Sequence, residues 1–152
     1  MPNTPQRLQS IFPGYDPPLY FVTFNTHHRR KLLATGQVHE AFVEFALEAK
    51  DRGIGVGRYV IMPGHIHLFV RGGLDSPLAQ WVRLLKRNLS KSILRSRPHW
   101  QQGFFDHVIR QGESYAQKWE YVRENPVRAG LVAGADEWRW QGEIVPLEAV
   151  RL

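Results

Sequence analysis

The sequence predicts an α+β fold: a ferredoxin-like split βαβ antiparallel sheet with helices on one face, plus an extra C-terminal helix that carries a tyrosine. Three observations point there. Runs rich in aromatic and β-branched residues alternate with stretches of helical periodicity, in the order strand, helix, strand, strand, helix, strand. The two middle strands are joined only by Pro63-Gly64, a turn dipeptide that favours an antiparallel hairpin. A third helical stretch follows the last strand, which leaves the split βαβ pattern complete without it.

The elements follow in order. Residues 1–18 are proline-rich and aperiodic and read as an irregular arm. "LYFVTFNT", 19–26, reads as a strand, and "HHRRKL" as a basic turn. From Gly36 to Lys50, Val38, Phe42, Phe45 and Ala49 recur at helical spacing, and the glycines of "RGIGVG" stop the helix. "RYVIM" and "HIHLFV" are the paired strands, and "RGGLDSP" is a loop. Ser76 is the candidate N-cap and Pro77 the first turn of a second helix that runs to about Arg95. "RPHWQQG" is a loop and "FFDHVIR" the fourth strand. Ser114 caps a third helix, with Gln117 at capping-box spacing. That helix is expected to end near Asn125, because a proline follows. A C-terminal extension, 133–152, holds a short strand within "EWRWQGEIVPL". Nothing marks a second domain, so residues 1–152 read as one.

Composition narrows the function. The chain has 152 residues, 43% hydrophobic and 22% charged, which suits a globular protein with a sizeable core. No apolar run approaches the ~18 residues of a membrane span. The N-terminus shows no secretory apolar region, so a cytoplasmic protein is the expectation. The absence of cysteine excludes disulfides, thiolate catalysis and cysteine-based zinc sites.

Charge adds a partner. Lys and Arg number 20 against 14 acidic residues, for a net charge of +6. The excess is local: between Asp75 and Asp106 there is no acid, but there are six bases. On the second helix Leu78, Trp81, Val82, Leu85, Leu89 and Ile93 form an apolar arc. Arg83, Arg87, Lys91 and Arg95 recur every four residues on the opposite arc, with Lys86 beside them. Like charges at that spacing repel, and an anionic partner would relieve them. Nucleic acid, bound in a salt-dependent way, is the expected partner.

The chemistry starts in "MPGHIHLFV". Strand side chains alternate, so His65 and His67 point one way while Ile66 and Leu68 point to a core. Two imidazoles on one face suit a divalent metal, or simply two hydrogen-bonded histidines on a half-exposed sheet. In the third helix Tyr115, Trp119 and Val122 share the packing face. Tyr121 lies off that stripe, and Asn125 follows it by four residues.

Together these stretches resemble the REP-associated tyrosine transposases, members of the HUH superfamily of single-strand DNA endonucleases. "MPGHIHLFV", "FVTFNT", "WVRLLKRNLSK", "WQQGFFDHVIR" and "WEYVRENPVRAGLV" occur in the family's order and span roughly Leu19 to Val132. The resemblance implies that His65 and His67 bind a divalent metal, Mg²⁺ or Mn²⁺, with Asn125 at the third ligand position. Superfamily relatives carry a glutamine or an asparagine there. It implies that Tyr121 is the nucleophile, forming a 5′-phosphotyrosine and releasing a 3′-hydroxyl. The implied substrate is single-stranded DNA flanking a REP-like hairpin. Arg29, Arg30, Arg83, Lys86, Arg87, Lys91 and Arg95 would track phosphates, and Trp100 would stack on a base. Monomer and homodimer stay open, since superfamily dimers exchange the tyrosine helix.

Metal binding needs neutral imidazoles, so activity is expected to fall below about pH 6. Asp106 and His107 are candidate bases by polarity alone. Two other readings remain. One is a non-catalytic nucleic-acid-binding module of the same fold, stacking bases on Tyr20, Phe21 and Phe24. The other is a zinc hydrolase for a small substrate.

Overall fold

Alternation along one strand sorts the molecule into two faces. The computed structural model describes residues 17–72, 77–110 and 114–147. Its strands are β1 (Leu19–Asn25), β2 (Ile54–Ile61), β3 (His65–Gly72), β4 (Phe105–Ile109) and β5 (Gln141–Glu143), in one antiparallel sheet of order β4-β1-β3-β2-β5. The helices are α1 (Gly36–Lys50), α2 (Leu78–Ser90), α3 (Tyr115–Val122) and the single turn α4 (Asn125–Arg128). β1 and β2 both run antiparallel to β3, so they are parallel to each other with β3 between them. β3 and β4 stand in the same relation about β1. A helix links each such pair, which is the expected split βαβ arrangement.

On one face Ile66, Leu68 and Val70 join Val22, Phe24 and Ile61. They pack against Val38, Phe42, Ala46 and Ala49 of α1 and Trp81, Val82, Leu85 and Leu89 of α2. Burying each such aliphatic or aromatic side chain contributes roughly 1.5–3 kcal/mol. The other face carries Leu19, Val60, Phe69 and Ile109, packed on Tyr115, Trp119 and Val122 of α3 and on Leu147. The extra helix therefore lies across the sheet from α1 and α2, and that face is not left open. α3 covers the part of β3 around Phe69, while His65 and His67 lie further along the same face.

A strand irregularity fixes where α3 starts. The β2–β3 register shifts between Val56 and Tyr59. Within it, a Cβ on Gly57 would lie 2.5 Å from Tyr115 Oη and 2.6 Å from Leu147 Cδ1. The backbone N–H of Arg58 donates to the same Tyr115 oxygen at 2.9 Å. Only a glycine leaves that space, so the first residue of α3 seats on β2.

Caps and ends follow local chemistry, with some departures. Thr35 accepts from the backbone N–H of Val38 and Ser114 from that of Gln117, at 3.2 and 3.0 Å. In α1 the buried seam uses Ala46, and Phe45 turns to Trp81 instead. Gly53, at φ 82°, stops α1; Gly55 and Gly57 continue into β2, which starts at Ile54.

α2 ends at Ser90 rather than Arg95. The Ser90 hydroxyl accepts from Trp100 Nε1 at 2.8 Å and donates to His99 Nδ1 at 2.9 Å. His99 Nε2 donates to the Arg95 carbonyl at 2.8 Å, so the chain folds back instead of extending the helix. Ser76 lies outside the described residues, and Pro77 stands at the N-cap. α3 stops at Val122, three residues early. Pro126 falls in the first turn of α4, where a missing N–H leaves no bond unmade. Asn125 thus opens a helical turn rather than closing one. The C-terminal extension joins the sheet through β5, which pairs with β2, and Trp138 Nε1 donates to the Ile61 carbonyl at 3.0 Å. No helix among the described residues is long and apolar enough to cross a membrane.

Candidate catalytic site

The β1–β3 register sets Thr23 opposite His67 and Asn25 opposite His65. Cross-strand partners share a face, so Phe21, Thr23 and both imidazoles form one surface. The two rings lie 4.7 Å apart, centroid to centroid. Thr23 Oγ1 is 2.7 Å from His67 Nδ1, and Phe21 stacks on the His67 ring at 5.5 Å and 14°. With Nδ1 held by a hydroxyl, His67 keeps Nε2 as the nitrogen able to ligate, the usual way an outer hydrogen bond orients a metal-binding imidazole. Arg29 Nη1 donates to His65 Nδ1 at 3.3 Å.

Burial and neighbouring cations keep both rings neutral. Burial, then the charge of Arg29, holds His65 down to about 4. His67 is pushed down to about 3 by burial first, then by His65, Arg29, Arg128 and Lys118. The expectation of failing activity below about pH 6 used an ordinary imidazole. These two keep their lone pairs well below that.

The donor set suits a divalent cation. Among the described residues no group of three or more His, Cys, Asp or Glu side chains gathers, so a cation held by the histidine pair would need an amide or substrate oxygens to complete its shell. Asn125 donates through Nδ2 to the Val122 carbonyl at 2.8 Å, which leaves Oδ1 as the atom able to ligate. Two imidazoles and one amide oxygen match Mn²⁺ or Fe²⁺ better than Mg²⁺, which prefers an all-oxygen shell.

Tyr121 is 65% exposed, on the side of α3 away from its packing face. The Arg128 guanidinium lies 4.1 Å from the centroid of its ring, and Arg128 Nη2 donates to the Tyr121 carbonyl at 2.8 Å. Arg128 is also among the charges acting on His67. One cation therefore sits over the Tyr121 ring and acts electrostatically on His67. On the same face Lys118 Nζ stands 5.0 Å over the Phe21 ring.

The residues expected to meet DNA divide into two groups. Arg83, Arg87, Lys91 and Arg95 are exposed. They lie on the α2 side of the sheet, opposite the histidines. Lys91 is the C-cap of α2 and Arg95 lies beyond it, so the stripe is helical only through Arg87. Apart from Arg29, which reaches His65, the others are tied into the 95–104 segment. Arg30 Nη1 donates to the carbonyls of Ser96 and Pro98 at 2.7 and 3.0 Å. Lys86 Nζ donates to those of Gln101 and Gly103 at 3.0 and 2.6 Å, and burial lowers its proton affinity. Trp100 donates to the Lys86 carbonyl at 3.1 Å and meets Phe24 edge-on at 5.4 Å. A groove of about 370 Å³ runs between α2 and this segment, lined by Val82, Arg83, Lys86, Trp100 and Phe104.

Sequence reading passed over Thr23, Lys118 and Arg128, and gave Phe21 a base-stacking role alone. Thr23 and Phe21 had a signal, since β1 alternates and must place one face beside its partner's histidines. Arg128 lay inside a quoted segment but carried no pattern of its own. Of the candidate bases, His107 pairs with Phe21 and shares the site face, while Asp106 pairs with Val22 on the helix-packed face. Of the aromatics offered for base stacking, Phe24 is fully buried, Tyr20 packs against the helix-side core, and Phe21 is half-buried beneath Lys118.

Comparison with known proteins identifies the family and the fold. A family model described as "Transposase IS200 like" matches residues 19–125. The chain is 27% identical over 121 residues to the REP-associated tyrosine transposase of Escherichia coli K12, covering 78% of this chain and 72% of that one. It superposes with a TM-score of 0.67, at 24% identity, on a solved REP-associated tyrosine transposase bound to a REP hairpin. That match covers 83% of this chain and 76% of the other, and it establishes the shared fold.

Proposed function

We infer function from one premise: the chain belongs to the IS200-like transposase family. On it we propose that the protein nicks and rejoins single-stranded DNA beside a hairpin, through a covalent tyrosine intermediate. The observation that carries this is two neutral imidazoles on a sheet face that α3 also covers, α3 being the helix that bears Tyr121, with Arg128 over the Tyr121 ring. A divalent cation, Mg²⁺ or Mn²⁺, held by His65, His67 and Asn125 Oδ1, would stabilise the charge that builds on the scissile phosphate's oxygens.

The chain's own residues do the rest. Arg29, Lys118 and Arg128 place positive charge on the site face and attract the phosphodiester. Tyr121 Oη attacks the phosphorus. The Oη–P bond forms, the P–O3′ bond breaks, the phenolic proton leaves to a base or to water, and the departing 3′-oxygen takes up a proton. Because the phosphodiester survives as a link to the enzyme, a second 3′-hydroxyl can attack it, restore Tyr121 and rejoin the strands without a nucleotide cofactor. A REP-like hairpin is the substrate by likeness to the Escherichia coli relative's name.

Incubating the protein with Mn²⁺ and end-labelled hairpin DNA carrying single-stranded flanks should give an adduct that survives a denaturing gel. Tyr121→Phe and His65→Ala should abolish it. An adduct of undiminished yield in Tyr121→Phe would end the proposal, and cleavage without an adduct would point to a hydrolase.

A further inference from the structure

The segment before β3's turn holds Arg29 in an unusual way. His28 and Arg29 both adopt left-handed backbone, at φ 53° and 55°. Two successive non-glycine residues there are strained and persist only where the surroundings enforce them. The enforcement is visible. Thr26 donates through its N–H to the Gly64 carbonyl at 2.9 Å and through its hydroxyl to the Arg30 carbonyl at 2.7 Å. Leu32 N–H donates to the Pro63 carbonyl at 2.9 Å. A Cβ on Gly64 would come 3.0 Å from the Arg29 carbonyl oxygen. The strained pair is thus wedged against the turn that leads into His65, and its product is the bond from Arg29 Nη1 to His65 Nδ1.

That bond is incompatible with a metal on the same ring. If a cation takes Nδ1, it replaces the guanidinium. If it takes Nε2, the ring's proton must sit on Nδ1 and face an Arg29 N–H, donor against donor. In both cases a positive guanidinium beside a doubly charged ion is repelled. The released fork matches a phosphate well, because guanidinium donors pair with two phosphate oxygens.

We propose that Arg29 has two positions: it caps the His65 lone pair while no cation is bound, and moves to a DNA phosphate when a divalent cation takes the ring. This rests on the metal reading of His65 and His67. Arg29 then does more than add positive charge to a surface. It opposes metal loading in the free protein and favours it once DNA supplies a phosphate, and by linkage the metal favours DNA in turn.

The test measures Mn²⁺ affinity in DNA-free protein, from the electron paramagnetic resonance of unbound Mn²⁺, for wild type, Arg29→Gln, Arg29→Met and His65→Ala. Both Arg29 variants should bind Mn²⁺ roughly 10-fold more tightly than wild type, the scale on which groups beside metal ligands change affinity. Both should bind a single-stranded oligonucleotide more weakly in saturating Mn²⁺. The opposite signs matter, since a purely structural role would weaken the two together. Unchanged or weaker Mn²⁺ binding in both variants overturns the proposal, as does tighter Mn²⁺ binding with unchanged DNA affinity. His65→Ala separates the two levels: if it binds Mn²⁺ as wild type does, the metal reading fails, whatever Arg29 does.

Discussion

The two faces of the sheet are built on different rules. Beneath α1 and α2 the central strands β1 and β3 contribute apolar residues, with Val22, Phe24, Ile66 and Leu68 fully buried. Beneath α3 the same strands change character along their length. Leu19 and Phe69 are core, while Thr23, His65 and His67 are half-buried and polar, each tied to a neighbour. The first face can yield only stability. The second obtains its rigidity from the Phe69, Tyr115 and Trp119 cluster and uses that rigidity to hold polar groups at its margin.

The sharpest way to break this division is a pair of substitutions. Tyr121→Phe should remove the covalent adduct entirely and leave stability within about 0.5 kcal/mol, as expected for an exposed side chain without buried contacts. Leu85→Ala, on the other face and 1% exposed, should cost about 2–5 kcal/mol in denaturant unfolding. It should leave adduct yield per folded molecule unchanged. A large loss of stability in the first variant, or of chemistry in the second, would show that the faces are coupled.

Within the site face, Thr23→Val keeps the shape of the strand and removes the hydroxyl at His67 Nδ1. Mn²⁺ binding should weaken by about 10- to 100-fold, the usual cost of losing such an orienting bond, with little change in the thermal midpoint. Equal Mn²⁺ affinity would mean that Phe21 stacking alone holds the ring.

Acid separates the faces differently. The folded histidines stay neutral to about 4 and 3, whereas an unfolded imidazole protonates near 6.5. Mn²⁺ binding should therefore persist from pH 6 to pH 5 and fail only toward pH 4. Stability moves on another schedule. It is full above about pH 6.5 and declines as the pH falls toward the folded values, because there the unfolded chain binds more protons. His67→Asn should flatten that decline, read from urea midpoints at pH 7, 6 and 5. An identical slope in the variant would move the acid sensitivity to other groups.

How much of this was legible follows from the same contrast. Period-two alternation in "HIHLFV" assigned both faces of β3, and the apolar arc of α2 named its buried residues, because burial repeats with backbone geometry. The α3–α4 break was misjudged at Pro126. Two proline preferences compete there, against a helix before it and for a first turn, and only packing decides. The intramolecular partners of Lys86, Arg30 and Trp100 were not legible for another reason. Their partners lie 10 to 68 residues away, as in Trp100 to Ser90 and Arg30 to Pro98, and such bonds leave no periodic trace. Arg29 belongs with them: its charge was legible, but its aim at His65 depends on a strained backbone that no composition reveals.

The smallest expected effect tests whether the α2 side takes part at all. Arg87 is exposed near the end of α2, across the sheet from the histidines. If DNA reaches both faces, Arg87→Gln should lower the slope of log affinity against log salt by about 1 and leave the rate of adduct formation at saturating DNA unchanged. Arg128→Gln should behave oppositely, slowing adduct formation at saturation, because its guanidinium lies against the Tyr121 ring. The two arginines carry the same charge, so total charge cannot account for a difference between them. A salt slope untouched by Arg87→Gln would confine the DNA to the histidine face and leave the exposed stripe as a solvated helix surface.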